Sequence, residues 1–505
     1  MRRAGLAALA LLPGVLLAAW YELSASRSAG SLGFPLDDAW IHAQFARNLA
    51  TGRGFTFTGT DWVAGSTAPA WTLLLAAGYF VSRSVVAAGV VLGIALQVLA
   101  GVYAMRLARL LEVPRAAAWM AGTIVAVSPI VVWGAVSGME VPLAAAMTLA
   151  GLDHHFRARS LEGPQRHLGI ALLGASTLAR PENVALVLVV AACECIGRDP
   201  LRVRLTRCLR ALLVIFITLI PLVAFSYATI GRPLPTTFYA KSGPGIVRAI
   251  QTQDGAMAQR ALGTFGPQGM ANMWLILRDQ HSWAALLVLF GLGAGLVAGS
   301  TRRTALTLLA ILVIVPCAMG ATSPQRLKPD NVRYAAQLVV LASPLMVLGI
   351  SRIVRLPAAT IVALAITAAV TGARTLDGAA LFARSVKNIQ ELHVSAGRWM
   401  SGHLPPDAVV AVNDVGAIAY FSGRRILDLE GLVSPEVLPY RALPRRGLRV
   451  VMDMKPDYVA IFPGWYPELA RAPGFREVHR VTISDNYISA GDTIVVYAAP
   501  WTEQD

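Results

Sequence analysis

Two adjacent carboxylates, Asp37 and Asp38, stand in the stretch Gly33-Phe34-Pro35-Leu36-Asp37-Asp38-Ala39-Trp40-Ile41-His42. Neighbouring carboxylates cannot both ionise cheaply, so one pKa tends to rise. Such a group can take a proton from a hydroxyl, or hold a divalent ion such as Mg or Mn with its neighbour. The plainer alternative is that both aspartates cap the helix that follows them. His42 lies one helical turn from Asp38; it could reach the pair or simply sit at an interface. Further along, single charges interrupt apolar runs. Glu140 stands between two of them, as a helix cap or as an acid facing a pocket. Arg180 and Glu182 break another, where ionisable groups face a polar cavity or pair with each other. Lys241 and Arg333 could each neutralise a phosphate, Arg through two parallel contacts and Lys as a point charge; lipid headgroups are the rival partner. No P-loop, GxSxG or HExxH pattern occurs.

The elements that carry these residues are those of a membrane protein. The chain has 505 residues, 55% hydrophobic and only 14% charged, with a mean hydropathy of +0.57. Soluble domains carry about 25% charge. This composition excludes an ordinary cytosolic enzyme, a disordered chain and a small disulfide scaffold. Forty-four basic against 29 acidic residues give a net charge of +15. In this setting the excess belongs to cytoplasmic loops and to anionic lipid or phosphate ligands, not to nucleic acid. Cys193, Cys195, Cys208 and Cys317 lie in or beside apolar segments, so neither a zinc site nor a disulfide framework is expected.

A membrane helix needs about 20 apolar residues. Spans are expected near 4–20, 84–105, 116–136, 141–152, 167–178, 183–197, 209–228, 283–299, 304–320, 334–350 and 357–373, about eleven in all. With the N-terminus in the cytoplasm, the inside loops are 106–115, 153–166, 198–208, 300–303 and 351–356. Each carries at least two arginines, as the positive-inside rule requires. The apolar segment 66–81 would invert this order if it crossed, so it is expected to lie at the outer interface. Trp40, Trp62 and Trp71 are read as interfacial anchors. The external segments are then 21–83, 229–282, 321–333 and the tail, 374–505. The tail reads as a soluble α/β domain: a helix over 385–403, then strands near 409–412, 425–429, 458–462, 478–483 and 493–498. Asn413 and Asp414 follow the first strand, as a helix cap or as acceptor-binding groups. The expected division is a transmembrane catalytic domain, 1–373, and an extracytoplasmic domain, 374–505.

The stretch PLDDAWIHAQFARNLATGRGF, followed by GSTAPAWTLLLA, resembles the first external loop of the GT-C glycosyltransferases. It is most similar to the branch that contains the cell-wall arabinofuranosyltransferases. Four later stretches fit the same pattern in order: Ser137-Gly138-Met139-Glu140-Val141-Pro142-Leu143, Leu178-Ala179-Arg180-Pro181-Glu182-Asn183, Pro235-Thr236-Thr237-Phe238-Tyr239-Ala240-Lys241 and Asn331-Val332-Arg333-Tyr334. Asn183 stands where glycine is commoner. The resemblance covers about residues 1–350, and all five motifs fall on the expected outer side.

The resemblance implies a multi-pass plasma-membrane enzyme that moves a sugar from a polyprenyl-phosphate donor to a hydroxyl of a glycan, lipid or protein. Arabinofuranosyl transfer is the finer option. It implies Asp37 or Asp38 as the base, with Asp37 favoured by the family pattern. The other would orient the acceptor or bind a metal, and Asp38 is the one named candidate ligand. Lys241 and Arg333 would face the donor phosphate, with Glu140, Arg180, Tyr334 and His42 around the substrate. The rival class is a transporter or lipid flippase, against which no paired inverted halves are visible.

Overall fold

A computed structural model describes residues 2–158, 165–196, 199–241, 243, 245–325, 327–354 and 356–502. Arg159, Arg198 and Arg355 of the basic loops lie outside the described residues. The chain is a multi-pass α-helical membrane protein with a small α/β tail. Its first half runs through α1 (Arg2–Ala29), α2 (Asp37–Ala50), α3 (Pro69–Ser82) and α4 (Val85–Leu110). The bent pair α5 (Arg115–Ala126) and α6 (Pro129–Val136) comes next. Then follow α7 (Val141–Arg157), α8 (Gln165–Ala179), α9 (Asn183–Glu194), α10 (Leu201–Ile230) and the short α11 (Thr236–Ala240).

Among the described residues six helices are long and apolar enough to cross a membrane: Ala7–Ala29, Val85–Leu110, Leu201–Ile230, Gly255–Val297, Arg302–Thr322 and Pro357–His403. Two bent pairs, α5 with α6 and Asn331–Val339 with Ala342–Ile353, raise the number to eight. By that measure the number is below the expected eleven. The other three expected spans fall on α7, α8 and α9, which have only 17, 15 and 12 residues.

The helices put the charged loops at two ends. At one end Arg106 and Arg157 both pair with Asp153, Arg207 pairs with Asp199, and Arg303 pairs with Glu194. With His155 on Glu194 and Arg303 also 3.9 Å from Asp199, these pairs bring four of the basic loops together. Helix α7 runs from this end to Glu140, roughly 25 Å away at 1.5 Å per residue. There α2 lies between the membrane helices and the tail, and α3 packs beside it on α4 and α8. Helix α3 buries Trp71 and Leu75 and exposes Leu73, Phe80 and Val81. Trp40 and Trp71 are not interfacial anchors. Both are buried, Trp40 against Phe34, Tyr420 and Phe421, and Trp71 with its indole N–H on the Gly138 carbonyl at 2.8 Å; Trp62 alone of the three is exposed. Their bulk is used inside the protein because Trp40 packs between α2 and the tail, and Trp71 packs on α7 and α8.

The helix Pro357–Ile389 runs without a break through residue 373. A π turn, Gln390–Val394, and the helix Ser395–His403 continue it into the tail. Five strands follow: β1 (Val409–Val412), β2 (Arg425–Asp428), β3 (Tyr458–Ile461), β4 (Arg476–Thr482) and β5 (Thr493–Ala498). Their order is β2-β1-β3-β5-β4, with β1 parallel to β2 and β3, and β5 antiparallel to β3 and β4. Strands β1 and β3 are short apolar runs buried on both faces, as central parallel strands are. One face packs on Val437, Val450, Val451 and Leu469 of the tail itself. The other packs on Ile41, Phe45, Phe57 and Val63 of the first loop and on Leu392, Ala396 and Met400 of the long helix. First loop and tail thus share one hydrophobic core.

Candidate active site

Helix α2 has two working faces. Residues 38, 41 and 42, at i, i+3 and i+4, share one side. They line a cavity with Glu140, Arg180, Thr237, Lys241, Arg333 and Tyr334. The second side, through Asp37, Trp40 and Arg47, meets the tail.

Asp38 is the cavity's central anion. Its Oδ2 accepts a hydrogen bond from Arg333 Nη2 at 2.9 Å, and Lys241 Nζ lies 3.5 Å away. Burial alone would raise this carboxyl, but Lys241 and Arg333 outweigh it and hold it well below the usual carboxylate range. A second charged group sits beside it. Arg180 Nη2 is 2.6 Å from Glu140 Oε1, and both side chains are almost fully buried. His42 Nε2 is 3.6 Å from the other Glu140 oxygen, and its Nδ1 lies 3.2 Å from Ser66 Oγ. Burial pushes the His42 imidazole down, against the pull of Glu140. Tyr334 is shared: the Arg180 and Arg333 guanidinium carbons lie 4.8 and 5.1 Å from its ring centre.

Local geometry explains how these turns meet. Gly138 has φ +72°, and a Cβ there would come within 2.5 Å of the Phe34 ring. Only glycine lets the turn before Glu140 lie against the first loop. Among the described residues several buried lining atoms have no hydrogen-bond partner: Glu140 Oε2, Arg180 Nε, Thr237 Oγ1 and Arg333 Nη1. Buried polar atoms are normally satisfied, so the lining keeps both donors and an acceptor for a polar guest.

All the expected site residues except Asp37 line this cavity. Asp37 faces the tail. Its Oδ2 accepts the Gly416 N–H and its Oδ1 accepts the Ala417 N–H, both at 2.7 Å. It does not cap its own helix, whose cap residue Leu36 makes no side-chain bond. Burial first, and then Asp414, raise the Asp37 carboxyl to about 6, with His393 and the two amides opposing. Asp414 pairs with His393 Nε2 at 2.9 Å, and Asn413 accepts the Phe462 N–H at 3.1 Å. Neither is a lining residue of the cavity.

Three lining contributions went unread in the sequence. Thr237 stood inside a matched motif but was assigned no role. Gly65 and Thr67 likewise stood inside the matched GSTAPAWTLLLA stretch without an assigned role. Leu432 comes from the tail, in a turn where buried Asp428 accepts the N–H groups of Glu430, Leu432 and Val433. The Asp428-Leu429-Glu430-Gly431 run signals such a turn, though nothing in it tells that the turn reaches the first loop. For a divalent ion the donors fit poorly. Asp38 already meets two cations, and among the described residues no three His, Cys, Asp or Glu side chains converge.

A second cavity adjoins the first and shares Pro181, Glu182 and Lys241 with it. Its remaining walls are mostly apolar, from Val184, Leu188, Phe238, Val247 and Met319.

Comparison with known structures places this architecture. ArnT from Cupriavidus metallidurans in the apo state matches with a TM-score of 0.59 at 13% identity, over 99% of this chain and 98% of that one. The same protein bound to undecaprenyl phosphate matches at 0.58 and 13%, over 96% and 97%. The Archaeoglobus fulgidus oligosaccharyltransferase, in a complex with Zn and sulfate, matches at 0.58 and 11%, over 96% of this chain and 73% of that one. All are GT-C glycosyltransferases. The chain has a GT-C-like fold. A family model described as a domain of unknown function (DUF8728) matches residues 385–500, the tail of this GT-C-like chain. No curated protein matches it.

Proposed function

We propose that the chain is a membrane glycosyltransferase that takes a sugar from a polyprenyl-phosphate donor and transfers it to an acceptor hydroxyl on the outer face of the cell membrane. The observation that carries this reading is the junction at Lys241. That residue belongs both to the charged cavity around Asp38 and to the apolar groove beside it. A donor has the matching shape: a phosphate with a sugar at one end, a hydrocarbon at the other. Undecaprenyl phosphate in the related ArnT structure supports a lipid phosphate of this kind.

On this reading the donor phosphate takes over Lys241 and Arg333. The acceptor oxygen attacks the anomeric carbon, the bond from that carbon to the phosphate oxygen breaks, and the acceptor proton passes to Asp38. The cations stabilise the charge on the departing polyprenyl phosphate. Glu140, Arg180, His42 and Tyr334 hold the sugar and the acceptor. No step runs through a metal. Residues 1–373 form the membrane catalytic unit and 374–505 an external domain, with the N-terminus in the cytoplasm. The sugar is a hexosyl or pentosyl unit; arabinofuranosyl transfer is the finer option and rests on the motif resemblance.

The test is turnover by the purified full-length protein with a panel of polyprenyl-phosphate sugars and a mixed glycan and lipid acceptor pool. Acceptor-dependent release of polyprenyl phosphate is expected for at least one donor. Binding of donors without release from any of them would overturn the reading.

A further inference from the structure

Asp37 is a carboxylate next to the reacting centre, yet both its oxygens are committed elsewhere. The geometry points to a positioning role: we propose that Asp37 acts through the tail, and that the tail backbone at Gly416 and Ala417 fixes Asp38 toward the cavity. The inference rests on the transferase reading above and adds to it a part for the tail domain.

The attachment is continuous along one side of α2. Asp37 receives two backbone N–H bonds at 2.7 Å. One turn on, Trp40 packs on Tyr420 and Phe421, with ring centres 5.1 and 4.8 Å apart. Two turns further, Arg47 Nη1 donates to the Tyr420 carbonyl at 2.9 Å, and its guanidinium carbon lies 4.0 Å from the Tyr420 ring centre. Every tail residue in this set belongs to the one short helix Gly416–Ser422. Close approach is needed at its start, because a Cβ on Gly416 would lie 2.0 Å from the Asp37 carbonyl oxygen. Behind it, Asp414 is held by His393, which is fully buried on the π turn of the long helix. The chain of contacts thus runs from the membrane helix, through His393 and Asp414, to Gly416, Asp37 and α2. Successive helical residues differ by 100°, so clamping Asp37 to the tail sets the direction of Asp38. A proton acceptor needs a lone pair open to the acceptor, and Asp37 has both oxygens bonded to amides away from the cavity lining.

The test uses full-length protein with the donor and acceptor found above, and two ways of breaking the same contact. Asp37→Asn keeps one acceptor oxygen and loses the other. Ala417→Pro deletes one donor from the tail side, at a first-turn position where proline is tolerated. Each is expected to lower kcat by about 10- to 100-fold, the scale of one charge-assisted hydrogen bond, with little change in donor KM. The double variant is expected to lose no more than the worse single one, since both remove one interaction. Hydrogen exchange in a peptide covering Gly416 and Ala417 should speed up in Asp37→Asn, a readout that does not depend on activity. Loss of all turnover in Asp37→Asn beside normal turnover in Ala417→Pro would make Asp37 the base and overturn the proposal. Unchanged exchange at 416–417 would overturn it too. Where Ala417→Pro does not fold, the pH–rate profile of Asp37→Asn decides: the wild-type acid limb at reduced height supports positioning, and its disappearance refutes it. An inactive wild type with faster exchange in Asp37→Asn would leave the clamp standing and fail the transferase reading alone.

Discussion

Asp38→Asn separates the two tasks proposed for the cavity. The carboxylate makes a 2.9 Å hydrogen bond to Arg333 and a looser 3.5 Å contact with Lys241. A charge-assisted bond of the first kind is worth about 1.5–3 kcal/mol. The second pair is about one-third exposed on both partners, so screening holds it below about 1 kcal/mol. A donor phosphate must displace Asp38 from these cations, and it forfeits part of that energy. Asparagine still accepts one bond from Arg333 but brings no charge to compete. The variant should therefore bind polyprenyl phosphate about tenfold more tightly, the equivalent of about 1.4 kcal/mol. Its kcat should fall by about 100-fold or more, the scale of a lost general base. Two measurements on the full-length protein in lipid nanodiscs check this: titration with polyprenyl phosphate, and initial rates against donor concentration. Weaker phosphate binding would refute the idea that Asp38 and phosphate share the cations. A folded variant with wild-type kcat would refute Asp38 as the base.

Arg333→Lys keeps the charge without the planar fork and Arg333→Ala removes both, so donor KM should rise in both and more in the alanine form; equal donor response in all three would remove Arg333 from the phosphate site. In a cysteine-free background, a cysteine at exposed Ser484 should react with an impermeant thiol reagent on intact cells and one at exposed Ser300 should not; the reverse pattern would invert the orientation and the site's access to an external acceptor. The raised Asp37 pKa carries a pH signature in stability. Its folded value of about 6 lies above the unfolded value of about 3.9, so its contribution is full below about pH 4 and is lost as pH rises through about 6. The wild-type melting temperature relative to Asp37→Asn should therefore fall between pH 4 and pH 6.5, and a flat difference would contradict the assignment.

Much of the fold was legible because membrane helices and buried strands have strong local signals. The five tail strands fall within two residues of the apolar runs 409–412, 425–429, 458–462, 478–483 and 493–498. Glu140 and Arg180 could be named because each is a charge in apolar surroundings, where a bare charge needs a partner, whereas Asp38 stood out in its acidic pair and Lys241 and Arg333 through the motif resemblance. Three features lay outside that logic. Asp37 and Asp38 are adjacent and chemically identical, so only the rotation of α2 tells which faces the cavity. Trp40 and Trp71 look like interfacial anchors until the tail covers the first and α7 and α8 cover the second. Leu432 is an ordinary apolar residue that joins the cavity through a turn nearly 400 residues from Asp38 along the chain.

The two aspartates sit side by side without sharing an environment. Both are drawn out of bulk water, which raises each, and neighbouring negative charge would raise each further. Asp38 escapes that cost through Arg333 and Lys241 and is held ionised. Asp37 is relieved only in part, by two amides and His393, and stays high at about 6. A single α-helical step separates the cation-rich cavity from the amide-rich tail. The tail is therefore more than an appended domain. It supplies the two amides, a share of the core through Val410, Val412 and Ile418, and Leu432 in the cavity wall. On the proposed mechanism, removing the tail would leave Lys241 and Arg333 in place for a phosphate but free α2 to rotate. On that mechanism donor recognition belongs to the membrane unit and base placement to the tail, and they meet at the junction of Asp37 and Asp38.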